Sequence, residues 1–184
     1  GGGDPVYGNA DDPMRWAVTK LVHLHICAAK EYALNLKNIG EEEFRIFNTG
    51  NPSYVNIDQT EYIPIEMLAK LLSLPIEQGN YLVLIKHPLS SEVEDSEIQM
   101  EITMQALEQF CNSRNNHVVC IPPNSDPGSL VMRRVIDRYA LKDWFHPVAT
   151  LSRKLFVNLI RHARVLVGNS SMGILEAPHY KLPV

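Results

Sequence analysis

Short and almost continuous apolar runs alternate along this chain with longer segments that repeat at helical spacing. The runs at residues 81–87 (YLVLIKH) and 117–123 (HVVCIPP) leave too few polar positions for a strand with one solvated face. Strands of this kind are buried on both faces, as in a parallel sheet covered by helices. Between them, residues 94–113 place apolar side chains near the helical period. The alternation therefore predicts βαβ units around a Rossmann-like parallel sheet flanked by helices.

The same patterns predict elements along the rest of the chain. We expect further helices over residues 14–22, 30–40, 129–140, 151–163 and 172–180, and further strands over residues 23–29, 44–50 and 164–171. A polar break over residues 50–62 is the best candidate for a hinge. We therefore divide the chain into an N-terminal segment with its hinge, 1–62, and a Rossmann-like domain, 63–184.

Charge and composition exclude several classes of protein. With 17 Lys and Arg against 21 Asp and Glu, the net charge of -4 gives no electrostatic basis for binding nucleic acid or an anionic membrane. No apolar run approaches the ~20 residues that span a bilayer, and no signal peptide is visible. The three scattered cysteines form no CxxC pair, so we expect no disulfide framework, no metal site and a cytoplasmic location.

The segment VLVGNSSMGILEA, residues 165–177, carries the strongest single motif. It places Ser170 and Ser171 in a turn between a buried strand and a helix start, where unpaired N–H groups favour an anion. The alternative interpretation is ordinary helix capping by one of the two hydroxyls. Glu176 follows about one turn later, where a carboxylate can accept from ribose hydroxyls or simply face solvent.

Two further strand ends carry polar residues. His87 follows one buried strand and Asn124 follows the next, and ligands of open parallel sheets bind at the carboxyl ends of the strands. A histidine there can bind a phosphate or transfer a proton, or it can satisfy loop carbonyls. Asn124 can equally bond its own backbone in a turn. Arg15 on the first helix can approach an anion or pair with Asp11 and Asp12 of the same helix.

Read together, the motifs resemble those of a known family. The chain is similar to the hydrolysing UDP-N-acetylglucosamine 2-epimerases, closest to the branch that feeds sialic-acid-type sugar synthesis. The resemblance covers nearly the whole chain in the family's order through the segments GGDPVYGNADDPMRWAVTKLVHLHICAA, RIFNTGNPSY, IKHPLSSE, PPNSDPGS and LVGNSSMGILEA.

The resemblance implies half of a glycosyltransferase-B architecture, in which two Rossmann-like domains face a cleft. It also implies the reaction: anti elimination of UDP from UDP-GlcNAc or a diacetamido analogue, followed by addition of water to give a ManNAc-type sugar. The implied partners are UDP and the UDP-amino sugar, with no metal and no nicotinamide cofactor. Full-length members are expected to be homo-oligomeric.

The resemblance also assigns residues. It places His87 at the diphosphate as the one catalytic candidate in this chain, Ser170 and Ser171 at the phosphates, and Glu176 at the ribose. Asn124 matches a residue that lines the nucleotide pocket, and Leu151 lies in a stretch similar to the one that contacts uracil. Arg15 matches a position close to the cleft.

The family's usual length is about twice that of this chain, which implies truncation at both ends. The main acid–base carboxylates are then expected in an absent N-terminal domain, and this chain alone is expected to bind UDP at best. Two other functions stay open at this point. One is a glycosyltransferase of the same architecture, and the other is a non-catalytic module that senses a nucleotide.

Overall fold

The computed structural model describes residues 2–6, 11–54 and 59–184. The chain divides into two compact units, Gly1–Asp58 and Gln59–Val184. Each unit has its own parallel sheet.

The first unit is small and contains a two-stranded sheet. Its helices and strands are α1 (Asp11–Leu21), β1 (His25–Cys27), α2 (Lys30–Asn38) and β2 (Ile46–Asn48), with short 3-10 turns at Glu43–Arg45 and Pro52–Tyr54. The strands β1 and β2 are parallel, and Ile26 lies opposite Phe47. Both predicted helices and both predicted strands of this region are confirmed, although the strands are shorter than expected.

The second unit contains the larger sheet. Its elements are α3 (Ile65–Leu72), β3 (Tyr81–Ile85), α4 (Ser96–Arg114), β4 (His117–Ile121), α5 (Ser129–Tyr139), β5 (Phe145–Pro147), α6 (Arg153–His162), β6 (Val165–Gly168) and α7 (Met172–Leu175), with 3-10 turns at Val93–Asp95 and Ala177–Tyr180. The strands lie in the order β5-β4-β3-β6, and every pair is parallel. The predicted Rossmann-like parallel sheet is thereby confirmed.

The central strand β3 explains the apolar run from which the fold was predicted. Its five residues are all buried. Leu82 and Leu84 face a hydrophobic cluster formed with α4 and α5, whereas Tyr81, Val83 and Ile85 face a second cluster formed with α3 and α6. Because side chains alternate between the two faces of a strand, a strand covered on both faces must be apolar at every position.

Gly168 ends β6 where that strand lies against β3. Its φ is +143°, and a Cβ at this position would lie 1.8 Å from the carbonyl oxygen of Ile85. No side chain can be accommodated at that distance, so glycine is required if the two strands are to stay paired to their carboxyl ends. The pairing of Gly168 with Ile85 brings the loops that follow β3 and β6 together.

Two elements were absent from the sequence prediction. The helix α3 begins after Pro64, and its apolar residues Ile65, Leu68 and Leu72 have helical spacing, so the signal was present. Strand β5 has only three residues, ends in Pro147 and pairs with β4 alone. A short edge strand of this kind has no periodicity to detect, because the neighbouring strand rather than the local sequence stabilises it.

Candidate functional site

The carboxyl ends of the four strands of the second unit meet at one edge of the sheet. A cavity of about 620 Å³ lies along this edge. It is lined by the loops that follow β3, β4 and β5 together with residues of α5 and α6: His87, Ile121, Pro122, Pro123, Asn124, Ser125, Arg133, Ala149, Thr150, Leu151 and Phe156. The cavity thus occupies the place where open parallel sheets bind their ligands.

His87 is the half-buried histidine of this cavity. Its Nδ1 accepts a hydrogen bond from the backbone N–H of Asn124 at 3.3 Å. Because Nδ1 is an acceptor, the neutral ring carries its proton on Nε2 and can donate from that atom. Burial lowers the pKa of His87, while the carboxylate of Asp126 acts in the opposite direction, so the neutral ring is favoured at pH 7.

Asn169 joins the loop after β6 to the loop after β3. Its side-chain oxygen accepts from the backbone N–H of His87 at 2.8 Å, and its amide nitrogen donates to the His87 carbonyl at 2.9 Å. This pair of bonds fixes the backbone on both sides of the imidazole. No role was predicted for Asn169 from the sequence, although it lies inside the motif VLVGNSSMGILEA.

Ser170 and Ser171 follow Asn169 directly, in the turn between β6 and α7. Ser171 occupies the position before α7, yet its side chain makes no capping hydrogen bond with that helix. The capping interpretation is therefore unsupported for Ser171, whose side chain is exposed. Ser170 is half-buried, and its carbonyl accepts from the backbone N–H of Gly173 at 3.0 Å. Neither serine lines the cavity itself.

Asn124 lines the cavity, but its side chain is folded over its own loop. The amide nitrogen donates to a carboxylate oxygen of Asp126 at 2.6 Å, and the amide oxygen accepts from the Asp126 backbone N–H at 3.2 Å. This is the local turn that Asn commonly forms. Its backbone N–H, which bonds His87, carries the contact with the rest of the site.

Leu151 lies at the end of the cavity next to β5, between that strand and the start of α6. Ser152 caps α6, since its hydroxyl accepts from the backbone N–H of Leu155 at 3.4 Å. Together with Phe156, Leu151 gives this end of the cavity an apolar wall. Such a wall suits a flat ring better than a charged group.

Glu176 and Arg15 lie elsewhere in the chain. Glu176 is not on the cavity wall; it forms an ion pair with Arg153 at 2.8 Å, and only 14% of its side chain is exposed. Arg15 belongs to the first unit, where it pairs with Asp4 on one side and accepts from Thr19 at its backbone carbonyl on the other. Arg15 is therefore charge-paired with Asp4, which precedes α1, whereas the pairing considered from the sequence was with acids of the helix itself.

Several residues of the cavity were missed by the sequence analysis, and Arg133 is the most notable. It lies on α5, it is exposed, and its guanidinium donates to the carbonyl of Pro123 in the loop after β4. The only signal for Arg133 in the sequence is its position about one turn into the helix that follows β4 and the polar loop after it. That place is shared with Arg134, so the sequence could not separate the two.

Other kinds of site find no support within the described parts of the chain. No group of three or more histidine, cysteine, aspartate or glutamate side chains is close enough there to hold a metal ion. No helix among those residues combines the length and apolar character needed to cross a membrane. Cys27, Cys111 and Cys120 are free and buried.

The parallel sheet, its covering helices and the cavity at its carboxyl edge define a Rossmann-like α/β unit, one half of a glycosyltransferase-B-type architecture. The model of the UDP-N-acetylglucosamine 2-epimerase family matches residues 1–184. The chain therefore belongs to the UDP-N-acetylglucosamine 2-epimerase family.

Curated relatives and solved structures agree with that assignment. The chain is 27% identical over 184 residues to a GDP/UDP-N,N'-diacetylbacillosamine 2-epimerase (hydrolyzing) of Campylobacter jejuni, covering 99% of this chain and 47% of the relative. It is 30% identical over 177 residues to a UDP-N,N'-diacetylbacillosamine 2-epimerase (hydrolyzing) of Legionella pneumophila, covering 96% and 46%. The chain thus spans about half the length of these relatives.

A structure of UDP-GlcNAc 2-epimerase from Neisseria meningitidis bound to UDP-GlcNAc matches the fold with a TM-score of 0.78 at 14% identity. The match covers the whole of this chain and 50% of that one. At this level of identity the likeness establishes the fold, and the ligand belongs to the other protein.

Proposed function

We propose that residues 63–184 are the UDP-binding domain of a hydrolysing UDP-sugar 2-epimerase. The proposal rests on the hydrogen bonds that connect the loops following the strands of the second unit. The cavity at the carboxyl edge contains His87, and Asn169 connects that histidine to the turn of Ser170 and Ser171. One nucleotide can therefore contact loops that follow four different strands.

The order of the strands suggests which end of the sheet edge holds the diphosphate and which holds the base. The turn after β6 and the loop after β3 are neighbours, and they offer the hydroxyls of Ser170 and Ser171 and the Nε2–H of His87 to a diphosphate. The loop after β5 lies at the other end of the edge and carries Leu151. We place the diphosphate at β6 and β3 and the uracil beside Leu151, with Asn124 between them.

His87 is proposed as the residue that assists departure of the diphosphate. Negative charge grows on the leaving oxygen as its bond to the sugar breaks, and a donor fixed beforehand stabilises that charge without reorganising. The bond from Asn124 to Nδ1 holds the neutral ring in the tautomer that donates from Nε2. The neutral ring thus assists departure as a hydrogen-bond donor to the leaving oxygen.

Glu176 is proposed to accept hydrogen bonds from the ribose hydroxyls. The ion pair with Arg153 occupies the carboxylate oxygen Oε2. The other oxygen is then the one offered to the sugar. Arg15 is proposed to act near the cleft of the complete enzyme.

The reaction proposed for the complete enzyme is anti elimination of UDP followed by addition of water to the resulting 2-acetamidoglucal. Elimination requires a base for the proton at C2, and we assign that base to carboxylates outside this chain. The relatives named for N,N'-diacetylbacillosamine support a substrate that is UDP-GlcNAc or a diacetamido analogue, and a further relative is named a polysialic acid biosynthesis protein.

A calorimetric titration of the 184-residue chain with UDP, and with ADP for comparison, tests the proposal. We expect UDP to bind and ADP to bind at least about tenfold more weakly. The Ser170→Ala variant should lose about tenfold in UDP affinity, because a hydrogen bond to a charged group is removed. Ser113→Ala is the matched control, since that hydroxyl donates to the carbonyl of Phe110 at the far end of α4. A folded chain that binds neither nucleotide would contradict the proposal.

The proposal also predicts that this chain does not turn over substrate by itself. Incubation with UDP-GlcNAc should release no free amino sugar above the uncatalysed rate. Steady formation of a ManNAc-type sugar by the purified chain would show that the base lies within these 184 residues.

A further inference from the structure

Arg133 is placed where it can determine which base the cavity accepts. Among the described residues that line the cavity, it alone carries a permanent charge, and none of the others is a carboxylate. Its guanidinium donates one hydrogen bond to the carbonyl of Pro123, so other N–H groups of the guanidinium can donate to a ligand. An arginine anchored in this way loses little freedom when it binds a ligand.

The topology places Arg133 beside the loop after β4, which is next to the β5 end of the cavity that we assign to the base. The helix α5 connects β4 to β5, and Arg133 reaches from that helix to the loop after β4. The phosphate groups are assigned to the opposite end, at β3 and β6. Leu151 and Phe156 supply the apolar wall at the β5 end, and Arg133 is the permanently charged hydrogen-bond donor that lines the same cavity.

We propose that Arg133 selects nucleotides whose base carries a keto oxygen at the position where others carry an amino group. This inference rests on the proposed UDP site and deepens it. Arginine carries only hydrogen-bond donors. At the C4 position, its N–H groups can bond the O4 oxygen of uracil, whereas the N4 amino group of cytosine is itself a donor and cannot accept from them. The same rule separates guanine, with O6, from adenine, with its N6 amino group.

The hydroxyls of Ser125 and Thr150 also line the cavity, but they do not oppose this selection. A hydroxyl can rotate to donate or to accept, so it serves a keto oxygen and an amino group alike. The side-chain amide of Asn124 is bonded to Asp126 through both its oxygen and its nitrogen. Apart from His87, which we assign to the diphosphate, Arg133 is therefore the lining side chain that can only donate hydrogen bonds.

The test is a comparison of UDP with CDP, which share ribose and diphosphate and differ at the C4 substituent and N3. Calorimetric titration of the 184-residue chain should show UDP binding at least about tenfold tighter than CDP. In Arg133→Met the ratio should fall to within about twofold, through loss of UDP affinity. In Arg133→Gln, the side-chain amide also offers an acceptor, so the affinity for CDP should rise relative to the affinity for UDP.

Arg134→Met is the matched control, because Arg134 is the neighbouring exposed arginine of the same helix and does not line the cavity. It should leave the UDP-to-CDP ratio unchanged. An equal loss of UDP and CDP affinity in Arg133→Met would show a general attraction to the diphosphate and would overturn the inference. Equal binding of both nucleotides by the unaltered chain would overturn it while leaving the UDP site in place. Binding of neither would contradict the proposed function itself.

Discussion

Replacement of Gly168 by alanine should separate the two strands on which the site depends. The added Cβ would lie 1.8 Å from the carbonyl oxygen of Ile85 and 2.5 Å from its carbonyl carbon. That contact has to open to at least 3.0 Å, which displaces the end of β6 from β3 by more than 1 Å. A φ of +143° costs a residue with a side chain about 1–3 kcal/mol, and losing about two backbone hydrogen bonds adds about 2 kcal/mol. We therefore expect the free energy of unfolding to fall by about 3–5 kcal/mol.

Urea denaturation of Gly168→Ala and Gly79→Ala measures this effect against a matched control. Gly79 also has a positive φ, +70°, but nothing lies within 4 Å of a Cβ placed there. Gly79→Ala should therefore lower the free energy of unfolding only by the cost of the positive φ, about 1 kcal/mol. If Gly168→Ala is no less stable than Gly79→Ala, the close approach of β6 to β3 is not what requires glycine, and the reasoning is refuted.

Three further predictions follow from the same edge of the sheet and from the core. Asn169→Ala removes both bonds to the backbone of His87 and should weaken UDP binding about tenfold in calorimetry; unchanged affinity would contradict that positioning role. Burial holds the pKa of His87 below 6.5 in the folded chain, so the unfolded chain takes up the proton first. The free energy of unfolding, measured by urea denaturation, should therefore fall as the pH drops below 6.5, and a stability that does not change between about pH 7 and about pH 5.5 would contradict this. Burial raises the pKa of Cys111 to about 11 and that of Cys120 to about 12, and it also raises the pKa of Cys27, so a thiol reagent at pH 8 should label none of the three until the chain is denatured.

The fold was predictable where the sequence pattern reflects the final environment. Strands β3 and β4 are apolar at nearly every position because helices cover both faces, and this pattern is visible without a structure. Strand β5 was not predictable, since three residues ending in Pro147 have no period and depend on pairing with β4. The αβ alternation could thus be predicted, but the full width of the sheet could not.

Only those residues of the candidate site that directly follow a buried strand could be predicted from the sequence. His87 and Asn124 follow buried strands, and the structure brings them together through a backbone bond. The contact from Asn169 to His87 joins residues 82 positions apart, which no local pattern encodes. The orientation of Arg133 toward Pro123 likewise depends on tertiary packing, because the sequence offers Arg134 as an equal candidate.

The central claim is that UDP binds at the carboxyl edge of the second sheet. Backbone amide shifts of the ¹⁵N-labelled 184-residue chain, recorded during titration with UDP, test it most directly. UDP bound at this edge should cause the largest changes at His87, Asn124, Leu151, Ser170 and Ser171. Changes confined to the opposite edge of the sheet, around residues 111–117, would contradict it.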